Sequence, residues 1–411
     1  MKRKPLFAAC LGALVCCVPL QACLNDRDSD LLEREARGLP DVMRVITGRF
    51  ERNPPLFYQM RLQRVERELK RDPNQLALYD DAAVASDRLG KDDKALGWIE
   101  ARRKLLPPFD AKNKAMREQW YRYYANAGTF RAHKWIRDGA NRQNIGEMKH
   151  AASDIARAID IKPNAHFGRE KYQLKAMRWI IAPPPLNDYG AASGFFYESG
   201  TKIMSLPTLL GWNPQQNDYT SDLKAAQEEL KKEGMDDAVE GLAGLVVLGN
   251  AWESLDVFYA LQTPLMIQGK GSLLALTRLR CRELLDQGKV SLYPKAFTRQ
   301  ELTEAVAPSY DWRIRSYTPQ KMREIYTRLR TEAEEYQSKR TSYMMARLEK
   351  GAHPDTDPSF WNEWRDQGPP PAAPYSFWEK HGLATSIIGG ALLLSLFLLR
   401  ARRTRRVAVA V

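Results

Sequence analysis

DPNQLALYDDAAVASDRLGKDDKALGWIEARRKLLPP, residues 72–108, decides the fold. Its small and apolar residues recur at helical spacing on both sides of Gly90. Tyr79 and Ala83 lie one turn apart before the glycine, and Ala95 and Ile99 one turn apart after it. Gly90 supplies the permissive backbone that a tight turn between two helices needs. Pro107 stops the second helix, because a proline interior to a helix loses a hydrogen bond and clashes with the preceding turn. The stretch predicts a helix–turn–helix unit whose small residues let the two helices approach closely.

The same spacing returns over residues 132–163, where Trp135, Gly139, Gly146, Ala151, Ile155, Ala158 and Pro163 take equivalent places. Together the two stretches resemble the tetratricopeptide repeat, a unit of about 34 residues that stacks into a solenoid. Ser86 and Arg102 depart from the aromatic and alanine positions of that pattern in the first unit. Asp138 and Arg142 depart from the leucine and second aromatic positions in the second. The resemblance implies a concave groove that takes an extended peptide or a partner helix. It makes Tyr79, Trp98 and Trp135, with Arg88 and Lys91, the candidates for groove or rim residues; aromatic repeat positions are structural first. REQWYRYYANAGTFRAHKWI, between the two units, extends the stack, and upstream Leu62, Val65 and Leu69 mark one face of an amphipathic helix.

Outward from the repeats the chain changes character. Residues 181–222 carry Pro183, Pro184 and Pro185 with Phe195, Phe196, Tyr197 and Trp212, and no helical period. A segment of this kind is either a partner-binding loop or a cover packed on its own solenoid. Residues 223–351 return to helix as a second lobe. Its last member is a long helix beginning at Thr318, which can cap it, and Pro319, which suits a first turn. Met322, Tyr326, Leu329, Ala333 and Tyr336 form its apolar stripe, and Gly351 can end it. Residues 352–382 read as a Pro-rich stalk, because serial prolines favour an extended, semi-stiff chain.

The two ends predict location. Lys2, Arg3 and Lys4 precede an apolar run, Leu6 to Leu20, that is too short to span a membrane. Leu20-Gln21-Ala22-Cys23 resembles the bacterial lipoprotein signal, with residues 1–22 as the signal peptide. That resemblance makes Cys23 the lipidated first mature residue and 23–50 a solvated tether leading to a first helix. At the other end Leu383–Leu399 is uncharged and just long enough to cross a bilayer. Five arginines follow within 400–411, which the positive-inside rule keeps cytoplasmic, so the body lies outside, in the periplasm. Leu24 suits outer-membrane sorting and the apolar run suits the inner membrane; the expectation here is that both anchors share the inner one.

Those topogenic cations account for eight of the formal +13 charges and leave a body near +5, which argues against nucleic-acid binding. Three of the five cysteines leave with the signal, so only Cys281 remains beside Cys23, and no internal disulfide is expected. His133, His150, His166, His353 and His381 have no zinc spacing, and His166 is the histidine most expected to be packed. Gln268-Gly269-Lys270-Gly271-Ser272 lacks the preceding strand and glycine of a phosphate loop and reads as a helix–helix turn. No catalytic, metal or cofactor-binding constellation is visible, and no small-molecule substrate is evident. The sequence therefore predicts an all-α protein: a tetratricopeptide-like helical-hairpin solenoid over 51–180, a second helical lobe and a C-terminal transmembrane helix. Its expected function is a membrane-anchored scaffold that binds and organises envelope proteins. The alternatives are an accessory subunit of a membrane complex and a cell-envelope hydrolase or transferase.

Overall fold

A computed structural model describes residues 42–163, 165–183, 230–249, 251–294, 296–306 and 318–366, with a few isolated positions between 188 and 228. The export signal, Cys23, the 383–399 run and the basic tail lie outside the described residues, as does most of 181–222. The described chain is helical apart from one antiparallel pairing of Asp188–Tyr189 with Ile203–Met204. Among the described residues no helix is long and apolar enough to cross a membrane.

The first half is a run of helices: α1 Val42–Thr47, α2 Pro55–Arg71, α3 Leu76–Arg88, α4 Asp92–Lys104, α5 Lys114–Arg137, α6 Ile145–Ile161 and α7 Arg169–Ile181. From α2 to α7 each packs on the next in chain order. Two of the turns form at glycines. Gly90 ends α3 at φ +69°, where the repeat spacing expects a turn; in the second unit that spacing sets Gly139 inside a helix and the turn at Gly146, but Gly139 ends α5 at φ +89° and Gly146 lies inside α6. After both Gly90 and Gly139, the next residue's N–H returns to the helix: Lys91 to the Ser86 carbonyl at 2.9 Å, and Ala140 to that of Trp135 at 3.0 Å. These bonds satisfy carbonyls that a helix end otherwise leaves open. Gly128 serves a different need. A Cβ there would lie 2.8 Å from the Ala151 carbonyl oxygen, so only glycine lets α5 lie this close to α6.

The second half holds α8 Ala238–Leu248, α9 Leu255–Ile267, α10 Gly271–Asp286, α11 Arg299–Val306 and α12 Pro319–Leu348. Thr318 caps α12 by accepting from the Lys321 N–H, with Pro319 in the first turn, and the helix ends at Leu348 just before Gly351. All five residues of the expected apolar stripe are buried. At about 1.5 Å per residue α12 is some 45 Å long. It packs on α10 and α1 and, further along, on α2.

One hydrophobic cluster joins the helices of both halves: it runs from Trp135, Met148 and Ile155 through Tyr172 and Ile180 to Leu261, Leu284 and Leu329. A helix does form within 23–50, at α1, and Val45, Ile46 and Phe50 are buried in that same cluster. One expectation changes: the stalk does not begin at 352. Residues 352–366 fold back against α2 and α12, with Phe360 buried among Phe57, Met344 and Leu348. The Asp355 carboxylate accepts from Arg61 Nε and NH2 at 2.9 and 2.7 Å and from Arg64 NH2 at 2.8 Å. His353 Nε2 meets the Phe57 carbonyl at 3.0 Å, and its ring stacks on Phe57. Apolar residues at 360, 361 and 364 had no place in a stalk reading; the burial of Phe360 and the ring contacts of Trp361 and Trp364 with Tyr343 account for the docking.

Arg61 is wholly buried, so removing Asp355 takes away the carboxylate that accepts from two of its nitrogens at that site. Asp355→Ala is expected to destabilise the protein by roughly 3–5 kcal/mol. It should also expose the 352–366 segment to limited proteolysis, read as a shift in denaturation midpoint together with new cleavage after Leu348.

Candidate functional site

Helix α3 buries ten consecutive residues, Leu78 to Asp87, among them Asp80, Asp81, Ser86 and Asp87. Buried carboxylates are costly unless cations and donors meet them, and the neighbouring helices supply both. Arg102 of α4 places Nε 3.0 Å from Asp80 Oδ1, and Arg122 of α5 stands 3.8 Å from Oδ2. Asn126 donates to Asp80 Oδ1 at 3.2 Å. Arg102 also donates to the backbone carbonyl of Gln119 at 2.9 Å. Burial pushes the Asp80 carboxyl up to about 6, although Arg102 and Arg122 oppose the rise.

Asp87 lies about two turns further along the same face. It meets His133 Nδ1 at 2.8 Å and Arg137 NH1 at 3.0 Å, both from α5. The other ring nitrogen of His133 faces the Gly249 carbonyl at 3.3 Å. Burial pulls Asp87 upward, but His133 and Arg137 outweigh it and hold the carboxyl near 2. Arg137 also pairs with Asp92 at the start of α4. Two acidic positions thus tie three successive helices together, and His133 reaches on to the end of α8.

The five residues expected at a groove or rim take different places. Tyr79 is buried, donates to the Pro73 carbonyl at 3.1 Å, and meets the half-buried Trp98 edge-on at 5.9 Å. Trp135 lies in the central core, its Nε1 donating to the Asn141 carbonyl at 3.1 Å. Arg88 is half-buried and Lys91 exposed, on either side of the Gly90 turn. The structure brings Tyr79 and Trp98 together and sets Trp135 in a different cluster. Because α3 has no open face between Leu78 and Asp87, the surface near these residues is the Arg88–Lys91 turn.

An outer edge of α4 and α5 carries features the sequence reading did not single out. Trp120, Tyr123 and Tyr124 form a mutually packed set with ring centroids 5.0 to 5.8 Å apart. Trp120 Nε1 donates to the Pro107 carbonyl at 3.0 Å. Leu105 and Phe109 are exposed beside them, 40% and 39% accessible, although large apolar side chains are mostly buried elsewhere. Glu100 accepts from the Tyr123 hydroxyl at 2.9 Å and pairs with Arg103 and Arg131. Burial, then Glu100, raises the Tyr123 hydroxyl far above its usual range. Apolar knobs with a charged rim suit contact with another molecule. The aromatic run in REQWYRYY was visible in the sequence, but which of its faces stays open was not.

Among the described residues no group of three His, Cys, Asp or Glu could hold a metal ion. Cys281 is buried, and burial pushes its thiol up to about 12, which suits packing rather than nucleophilic chemistry. His166 sits in the 3-10 turn Ala165–Gly168 and its side chain lies outside the described residues; His133 and His353 are the histidines held by hydrogen bonds. No family model matches the chain, and no curated protein matches it.

The depressed Asp87 carboxyl carries a signed pH prediction. Its folded value lies near 2 against an unfolded reference of 3.8. Its stabilising contribution is therefore present above about pH 4 and lost as pH falls through 2. Asp87→Asn is expected to cost roughly 3 kcal/mol at pH 7 and to flatten the fall in stability between pH 4 and 2. Urea unfolding of both proteins across that range reads both effects.

Proposed function

We propose that this chain is a membrane-tethered scaffold of the tetratricopeptide type, which binds an envelope protein or peptide on the extracytoplasmic side. The observation that carries this reading is the chain-order packing of α2 to α7, with the left-handed Gly90 closing the α3–α4 hairpin. Stacks of this kind bury their repeat positions in one another and leave side chains at turns and edges for partners. The contact surface in this reading is the edge made by Leu105, Phe109, Trp120 and Tyr124; Arg88 and Lys91 lie at the turn before α4, about 20 Å away at the other end of that helix. The interior ion pairs of Asp80 and Asp87 hold that edge in one shape, so binding needs little ordering of the scaffold. The tether is the Cys23 lipid together with the 383–399 helix, which leaves the arginine tail cytoplasmic. No catalytic residue is assigned.

Two measurements test the reading. Cross-linking in intact cells, followed by affinity capture, compares the wild type with a Leu105→Asp/Phe109→Asp variant. The variant is expected to keep its helical content and lose the partner that the wild type retains; equal capture by both would sink the edge as the contact surface. Membrane fractionation of Cys23→Ala beside the wild type tests the tether. The variant should migrate differently and keep its signal peptide, and a processed variant of unchanged migration would remove the lipid anchor.

A further inference from the structure

Three arginines distant in sequence converge on one indole, and a fourth stands beside them. Gly48, at φ +83°, carries the backbone so close over Trp252 that a Cβ would lie 2.7 Å from the ring and 2.9 Å from Arg330 NH1. Around that ring the guanidinium of Arg280 lies 3.6 Å from the centroid, that of Arg330 5.3 Å and that of Arg52 5.5 Å. Arg340, ten residues further along α12, lies 4.9 Å over the Trp361 ring and donates to the Arg52 carbonyl at 3.0 Å and to Asn53 at 3.1 Å. Trp252 comes from the short turn before α9, Arg280 from α10, Arg330 and Arg340 from α12, and Arg52 from the loop after α1.

The positive charge is only partly answered. Arg280 and Arg330 share one carboxylate, Glu283, each at 3.0 Å. Arg330 also reaches the exposed Glu334, and Arg340 has Glu51 no closer than 3.8 Å. Nearby Arg49 is matched by its own Glu332 and Asp366. Arg52 differs from the rest. Its guanidinium donates to the Gly48 carbonyl at 3.2 Å, lies 4.8 Å from the Phe50 ring, and has no carboxylate partner among the described residues. The buried Nε groups of Arg280 and Arg340 also lack an acceptor. Burial, then repulsion from Arg330, Arg280 and Arg340, draws the Arg52 guanidinium down to about 10. A half-buried guanidinium among like charges is unfavourable unless an anion joins it.

We propose that Arg52, backed by Arg280 and Arg330 around Trp252, forms a binding site for a phosphate group. Guanidiniums from three different elements face one indole there, and although Arg280 and Arg330 also donate to Trp252, Thr47 and Glu283, Arg52 has a fork to offer, which suits a tetrahedral anion with oxygens on several sides. The phosphate is either free or carried on a lipid headgroup, and the site reads the same oxyanion in both. The inference stands apart from the scaffold reading, because it uses neither the α4–α5 edge nor either anchor.

The test is thermal unfolding of the full chain in detergent. It compares inorganic phosphate, dihexanoyl phosphatidylglycerol below its micelle concentration, and sodium chloride at matched ionic strength. Phosphate is expected to raise the wild-type midpoint by roughly 2–4 °C over chloride. Arg52→Gln should abolish that response, and Arg52→Lys should keep part of it. Without added anion, Arg52→Gln should unfold at the same temperature as the wild type or higher, because it relieves repulsion; a purely structural arginine would lower it. A response to the lipid alone that Arg52→Gln removes assigns the headgroup as the source, and a response to inorganic phosphate assigns the free ion. Equal midpoints in both phosphate forms and chloride, or a response that survives Arg52→Gln, would overturn the proposal.

Discussion

The enclosure of α3 is the constraint from which the rest of the first half follows. A helix buried over ten residues cannot carry Asp80 and Asp87 unless cations reach both. Arg102 and Arg122 can reach Asp80 only if α4 and α5 hold one register against α3, and His133 and Arg137 fix the same register again near the other end of the helix. Hydrophobic contacts tolerate small slips, whereas a charge pair at 3 Å does not. Small residues let the helices close together, and the ion pairs select which closed arrangement is populated.

That arrangement does not end with the hairpins. His133 extends from Asp87 to the Gly249 carbonyl at the end of α8, so the charged interior of the first half touches the second. Helix α12 makes the larger connection. Its first turns join the central cluster through Met322, Ile325 and Leu329, and its last turns pack Met344 and Leu348 on Phe57 and Phe360. Residues 352–366 then clamp α2 through Asp355. Among the described residues, α2 at the start of the chain-order stack is thereby joined to α12 and to the 352–366 segment.

The parts that were legible in the sequence are those set by local chemistry. Gly90 ended its helix, Thr318 and Pro319 began α12, and the stripe from Met322 to Tyr336 was buried, because a turn or two of sequence contains the whole cause; at 139 and 146 the repeat spacing set the turn at the wrong glycine. The parts that were not legible depend on partners far along the chain. Ser86 and Arg102 counted as mismatches to a repeat pattern. Ser86 instead returns its hydroxyl to the Ala82 carbonyl inside α3, and Arg102 is the cation that Asp80 requires. Arg142, another mismatch, donates to the Leu292 carbonyl at 2.7 Å, 150 residues away. Prolines after 366 drew the stalk back to 352, although Phe360 and Trp361 already carried an apolar face. The Trp252 cluster gathers residues from positions 48 to 330, and no window of sequence contains it.

Arginine, not lysine, fills nearly all of these interior positions, and the geometry gives the reason. Arg61 and Arg102 each meet two acceptors at once, which a planar fork does without bending and a single ammonium does poorly. The same plane lies flat on aromatic faces, as Arg280 does on Trp252 and Arg61 on Phe57. Guanidinium is also less strongly hydrated than ammonium, so it enters an interior at lower cost. A fold assembled this way carries more fixed cationic donors inside than its carboxylates use. Arg61, Arg102 and Arg49 find their counter-charges within the chain. At Trp252 the supply exceeds the demand, and the excess falls on Arg52, where burial and repulsion from Arg330, Arg280 and Arg340 outweigh the attraction of Glu334. An internal framework of arginine pairs and an unanswered arginine at its margin are therefore two results of one mode of construction.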